Sequence, residues 1–288
     1  PEYQRPAQPL AAQWSTALPV AAAAAPADLA RWWHQLDDPL LGQLVEQALA
    51  ANRDVREAVV RIREARALQA VVDARARPQV GVGGSAARDR LSENGRFPLR
   101  GIENPADVYQ TGFDASWELD VFGGIRRARE AAAAEVERVE FDSAAVAVSV
   151  SAEVAVAYLR LRAAQSQLAT LDRQITVARE TIAIVAARVK AGLVSEFDLL
   201  RAREVLATLA ARRPPLEAAA GVEMRRLGVL TGAQTDTLLA QLAPAQALPA
   251  AVPQLPPSVP AALLARRADL RAIERENALR ILPRMRGA

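Results

Sequence analysis

Residues 154–195, VAVAYLRLRAAQSQLATLDRQITVARETIAIVAARVKAGLVS, decide the fold. Val154, Leu161, Leu168, Ile175, Ile182 and Val189 recur every seventh residue, and Ala157, Ala164, Leu171, Ala178 and Val185 form a second line three residues on. Two apolar lines at this spacing are the seam of a helix packed side by side on partners of similar length. No proline interrupts the chain from Arg126 to Lys190, so roughly 65 residues at about 1.5 Å each would span about 100 Å. Gly192 supplies a left-handed stop, and Ser195 with Asp198 three residues on supplies a new helix start. Leu199, Ala202, Leu206 and Leu209 then carry an apolar face back, which makes residues 190–196 the tip of an antiparallel helical hairpin. On periodicity alone, a plain coiled-coil spacer fits as well.

Outward from this hairpin the chain changes period. Residues 1–38 are rich in proline and alanine and read as an extended strap. Asp38-Pro39 opens a helix expected over 39–77, with Leu40, Leu44, Ala48, Val55, Val59 and Ile62 on its apolar face and Pro78 as its stop. A strand pair is expected over 78–120, with a polar loop at 91–107. In the second strand Tyr109, Thr111, Phe113, Ala115, Trp117 and Leu119 fall on one face, and Gln110, Gly112, Asp114, Ser116, Glu118 and Asp120 on the other. A half-solvated antiparallel sheet shows this alternation, and so does a transmembrane barrel with an apolar face to lipid and a polar face to a wet lumen. Pro214-Pro215 is expected to kink the return helix, which ends near Gly232. Residues 233–257 read as a linker.

Composition narrows the function. The 288 residues contain no cysteine and one histidine, His34, so disulfides and thiolate metal sites are excluded. Arginines and glutamates interleave along the helices, which reads as solvated helix faces and argues against a nucleic-acid partner. No phosphate loop, metal-ligand cluster or nucleophile–base set is present, so neither an enzyme nor a cofactor is expected. The most apolar stretch, Ala144 to Leu161, carries Ser149, Ser151 and Glu153; membrane crossing is therefore expected through strands only. The first helix recurs at an offset of 215, with Asp54, Val55 and Arg56 matching Asp269, Leu270 and Arg271, so residues 258–288 read as the start of a second repeat.

These segments together resemble the TolC-like outer-membrane efflux channels, in their OprM/NodT-type lipoprotein branch. The residues that carry the likeness are Pro1 to Pro6, Trp32-Trp33, Asp38-Pro39-Leu40 and Asn52-Arg53-Asp54-Val55. The strand-to-helix junction Trp117-Glu118-Leu119-Asp120-Val121-Phe122-Gly123, the tip Gly192-Leu193-Val194-Ser195 with Asp198-Leu199-Leu200, Leu230-Thr231-Gly232, and Leu264 to Glu274 carry the rest. The resemblance implies a mainly α chain with a small β part: an α-barrel hairpin joined to a strand pair of an outer-membrane β-barrel. It implies a homotrimer, outer-membrane lipid, a periplasmic adaptor (membrane fusion) protein and an inner-membrane RND-type pump as partners. The activity implied is passive export of drugs or other small toxic compounds.

By position, the resemblance makes Gly192, Leu193, Val194 and Ser195 the adaptor-docking tip and Asp198 an acid at the periplasmic entrance. Gln110, Asp114, Ser116 and Glu118 become lumen-facing strand residues, and Tyr109, Phe113, Trp117 and Leu119 lipid-facing ones. The family's lipid-bearing cysteine precedes the segment that Pro1 begins, and Arg280 to Ala288 depart from the expected helix. As the chain stands, three copies supply six strands where the family has twelve, so this chain alone is expected not to close the trimeric pore. A non-functional remnant of such a channel and a soluble coiled-coil scaffold remain as alternatives.

Overall fold

A computed structural model describes residues 29–92, 95–96, 105–233, 235–250, 264 and 266–281. The elements run in the order 3-10 helix Leu29–Leu36, α1 (Pro39–Ala51), α2 (Arg53–Ala74), β1 (Gln79–Asp89), β2 (Ala106–Ser116), α3 (Gly124–Lys190), α4 (Glu196–Ala211), α5 (Arg213–Thr231), α6 (Thr235–Leu242) and α7 (Ala268–Ile281). The described residues fall into two compact units, one within residues 29–62 and 139–273, the other within residues 63–138 and 274–281.

The larger unit holds the main core. Leu41, Leu44, Val45 and Ala48 of α1, Val154, Ala157, Tyr158 and Leu161 of α3, Leu227 and Leu230 of α5, and Leu238 and Leu242 of α6 are buried together. Each large apolar side chain fully buried there contributes about 1.5–3 kcal/mol. The heptad lines are buried at seven of their eleven positions and half-buried at Leu168, Ile182, Val185 and Val189. Val154, Leu161, Ile175, Ala157, Ala164, Leu171 and Ala178 are buried, whereas Val156, Val177 and Ile184, which lie off the seam, are exposed. Three ion pairs fix α3 antiparallel to α5: Glu153 with Arg226, Arg160 with Glu223, and Asp172 with Arg213. The partner's number falls as the α3 number rises.

Four expectations are corrected. The helix expected over 39–77 is two helices, because Asn52 takes φ −59° and ψ 137° between them. Its side-chain carbonyl accepts from the Asp54 and Val55 amides, capping α2, and its side-chain amide donates to the Leu230 carbonyl at 3.1 Å. Residues 29–36, within the expected extended strap, form a 3-10 helix that sets Trp33 in the core; residues 1–28 lie outside the described residues. The expected linker contains α6, whose Leu238 and Leu242, one helical turn apart, are buried. The last helix continues through Ile281, past the expected break at Arg280.

Two further points concern α3 and the return. Among the described residues, α3 is long and apolar enough, by length and composition alone, to cross a bilayer, contrary to the sequence expectation. Its apolar content has a different explanation: Val150, Val154, Ala155, Ala157, Tyr158 and Leu161 are core residues. The return helix breaks at Arg212, with Pro214 and Pro215 in the first turn of α5, where a missing amide costs nothing.

Candidate functional site

Two places present exposed apolar and charged side chains in a fixed geometry: the hairpin tip and the strand pair. At the tip, Gly192 has φ +70°, the left-handed conformation that a side chain disfavours. The Gly192 amide donates to the Val189 carbonyl and the Leu193 amide to the Arg188 carbonyl, both at 2.9 Å. This pair of bonds closes a helix C-terminus and turns the chain outward. Leu193 is left 73% exposed.

The next helix starts at Ser195. Its amide and its hydroxyl both donate to Asp198 Oδ2, at 3.1 and 2.9 Å. The Asp198 carboxylate therefore acts as the acid of a helix start, near the positive end of the α4 dipole. Its Oδ1 has no hydrogen bond among the described residues. Sequence reasoning missed two members of this surface. Phe197 is exposed, and the Arg201 guanidinium lies 5.3 Å from its ring centroid. Their i, i+4 spacing on one helix was the available clue.

The strand pair is antiparallel, in the register Val80 opposite Ala115, Val82 opposite Phe113, Gly84 opposite Thr111 and Ala86 opposite Tyr109. Directly opposed residues share a face, so this face is apolar. The other face carries Gly81 opposite Asp114, Gly83 opposite Gly112 and Ser85 opposite Gln110. Tyr109, Phe113, Val80 and Val82 are all more than two-thirds exposed. The glycines on the polar face have a steric role at one position: a Cβ on Gly81 would stand 2.7 Å from Asp114 Oδ1, so the carboxylate lies across Gly81.

The strand ends sooner than its alternation suggests. Ser116 is the last strand residue, and Trp117, Glu118 and Leu119 lie beyond it in the turn to α3. They are not strand residues, so the strand's alternation does not extend to them. The reason is local. Asp120 accepts from the Ile125 and Arg126 amides at 3.0 and 2.7 Å and caps α3. That bend breaks the pleat, and Trp117 Nε1 donates instead to the Ala76 carbonyl at 3.3 Å. These amide bonds, the Arg126 bond foremost, hold the Asp120 carboxyl below its ordinary value. Most of the 91–107 loop lies outside the described residues.

Among the described residues, no cluster of histidine and carboxylate side chains could hold a metal. A family model described as outer membrane efflux protein matches residues 44–233. Over 247 residues the chain is 28% identical to the pyoverdine export outer membrane protein OpmQ of Pseudomonas putida, covering 85% of this chain and 52% of that protein. It is 26% identical over 276 residues to nodulation protein T of Rhizobium leguminosarum bv. trifolii, covering 96% of this chain and 58% of that one. The chain thus spans little more than half the length of these relatives. Its fold matches the solved outer-membrane channel OprN with a TM-score of 0.75 and 36% identity, over 93% of this chain and 62% of that one. With its helical hairpin, antiparallel strand pair and this match across both, the chain belongs to the outer membrane efflux protein family.

Proposed function

We propose that the chain is a channel subunit of a tripartite efflux system, a passive exit duct from the periplasm across the outer membrane for small toxic compounds, drugs included. The observation that carries this reading is the register of the strand pair. It sets Val80, Val82, Phe113 and Tyr109 on one exposed apolar face and Gly81, Asp114 and Gln110 on the opposite, polar one. A soluble sheet would cover such an apolar face with its own core, whereas a barrel wall turns it to lipid and the polar face to water. Tyr109 and Phe113 are then lipid-facing, and Gln110, Asp114 and Ser116 line the lumen. The open sheet edges require neighbouring strands, since unpaired amides in hydrocarbon cost several kcal/mol each; three copies of the family's full-length chain supply them.

The tip supplies the docking point. Gly192, Leu193, Val194 and Ser195, with Phe197 beside them, offer an exposed apolar knob on a rigid turn to a periplasmic adaptor, which connects in turn to an inner-membrane RND-type pump. Asp198 stands at the periplasmic entrance, with one carboxylate oxygen engaged in the helix start.

These 288 residues contain no cysteine, which makes the strand test direct. Single cysteines at 109, 110, 113 and 114, in chain expressed into outer membranes, are treated with a water-soluble maleimide and with a lipid-dissolved one. Positions 110 and 114 should label from water, and 109 and 113 from lipid. Equal labelling of all four from water would overturn the barrel reading.

A further inference from the structure

The apolar face of the strand pair ends in a pair of charges. Beyond Ala86 opposite Tyr109, the next pair on the same face is Arg88 opposite Asp107. Residues two apart along a strand share a face, so Arg88 and Asp107 stand in line with Val82, Phe113 and Tyr109, and not with Gln110 and Asp114. Arg88 Nε lies 3.6 Å from Asp107 Oδ1, and the Arg88 side chain is 70% exposed. The carboxylate holds the guanidinium by its inner nitrogen and leaves the two terminal amino groups open. Among the described residues, no other side-chain hydrogen bond or ion pair involves Arg88 or Asp107, and none involves the hydroxyl of the exposed Tyr109.

The place of this pair along the strands decides what it meets. It lies at the end joined by the connection 90–105, whereas the other end leads to α2 and α3. In a barrel whose helices lie in the periplasm, the long connection is the external one. Arg88 comes eight residues after Val80, about 26 Å along the strand and about 20 Å along the axis of a barrel with the usual strand tilt. The apolar band of such barrels is about 25 Å tall. Arg88 therefore emerges where hydrocarbon gives way to headgroups, beside a tyrosine that settles at the same level. The outer leaflet of a bacterial outer membrane is lipopolysaccharide, whose lipid A carries phosphates on a pair of acylated amino sugars.

We infer that Arg88, Asp107 and Tyr109 form a binding site for the phosphorylated sugar of lipid A. The terminal amino groups of Arg88 take two phosphate oxygens in parallel bonds. Asp107 stays behind the guanidinium, and its second oxygen and the Tyr109 hydroxyl meet the hydroxyl and amide groups of the sugar. The acyl chains run down the apolar face over Phe113 and Val82. A glycerophospholipid offers phosphate as a diester, with less negative charge than a monoester and no amide-bearing sugar for Asp107. This inference rests on the membrane-spanning reading of the strand pair. Lipid A held there fixes the height of the strand hairpin in the membrane.

The test titrates the full chain in detergent with lipid A bearing its phosphates, with the same lipid A dephosphorylated, and with phosphatidylglycerol. Bound lipid is counted by native mass spectrometry. Phosphorylated lipid A should bind tightest. Arg88→Ala should weaken it about tenfold, as the loss of a charge-assisted pair implies, and should leave dephosphorylated lipid A unaffected. Arg88→Lys should recover part of the affinity, because charge returns without the paired geometry. Circular dichroism confirms that each variant folds. Equal binding of phosphorylated lipid A by wild type and Arg88→Ala overturns the site. So does phosphatidylglycerol binding as tight as that of lipid A, which would make this edge a general contact for anionic lipid. Phe113→Ser separates the site from the barrel reading. If it abolishes binding of every lipid while Arg88→Ala changes nothing, the apolar face meets lipid and only the site falls. If neither variant changes binding, the lipid-facing assignment of the strands falls with it.

Discussion

The phenolic hydroxyl of Tyr158 donates to Asp38 Oδ2 at 2.7 Å, while Oδ1 of the same carboxylate accepts from the Leu40 and Leu41 amides at 3.0 Å each. One acid therefore starts α1 and ties it to the middle of α3, 120 residues away in sequence. Tyr158 is fully buried. Tyr158→Phe keeps the ring and removes the bond, leaving a half-buried carboxylate oxygen without its donor. The expected loss is about 1–3 kcal/mol, to be read by urea unfolding followed through the helical dichroism signal.

The same contact predicts an alkaline limit. Burial first, and then the Asp38 carboxylate, raise the Tyr158 hydroxyl above its ordinary value of 10.0. A group raised in the folded state contributes stability that is fully present below its unfolded value and is lost as pH rises through its folded value. Wild type should thus lose stability above about pH 10, and Tyr158→Phe should lack that component. At the acid end the sign reverses. Asp120 is held low in the folded state, so its contribution is present above the ordinary carboxyl value of 3.8 and is lost as pH falls through the folded one. Asp120→Asn should flatten the acid limb of the same unfolding curves.

Arg162 is fully buried and, among the described residues, binds no carboxylate: its guanidinium donates to the Pro244 carbonyl at 2.7 Å and to the side-chain oxygens of Gln165 and Gln246 at 2.8 and 3.0 Å. Gln165 in turn donates to the Leu242 carbonyl at 2.8 Å. These bonds hold the segment after α6 against α3. Gln165→Ala should cost about 1–3 kcal/mol through the acceptors and donors it strands. It should also speed amide hydrogen exchange at residues 243–248, measured by mass spectrometry, ahead of any change in α3.

The strand pair offers a coupled pair of substitutions. Gly81→Ala places a methyl group against the Asp114 carboxylate and should weaken the pair, because the carboxylate must move. Asp114→Ala removes the obstruction. The double variant should be closer to wild type in stability than the two single effects summed, with a coupling of about 0.5–3 kcal/mol. Additive effects in a thermal unfolding cycle would show that the carboxylate moves aside freely.

How much of this could be read from the chain depended on whether the cause was local. The seam, the Gly192 turn, the Ser195–Asp198 start and the Asp38-Pro39 start each rest on neighbours within a few residues, and each stands in the structure as expected. The break at Asn52 does not. Ala51, Asn52 and Arg53 sit within an unbroken helical pattern, and part of what holds the break is a carbonyl 178 residues away. Arg162, in the run Leu159-Arg160-Leu161-Arg162, has the look of a solvated charge, and only the fold brings the chain after α6 over it. The strand's early end was hidden for a different reason: Trp117 and Leu119 keep the alternation going although Asp120 has already bent the backbone to cap α3.

The ion pairs that match α3 to α5 constrain how this hairpin can change over evolutionary time. Glu153–Arg226, Arg160–Glu223 and Asp172–Arg213 step outward along one helix and inward along the other. An insertion in one arm alone would pull the arms out of step and rotate the buried seam away from its partner. A length change that preserves both must come in matched increments, seven residues on each side, or about 10 Å of reach per step. The hairpin behaves as a ruler with fixed graduations, so related ducts should differ in length by whole divisions of it.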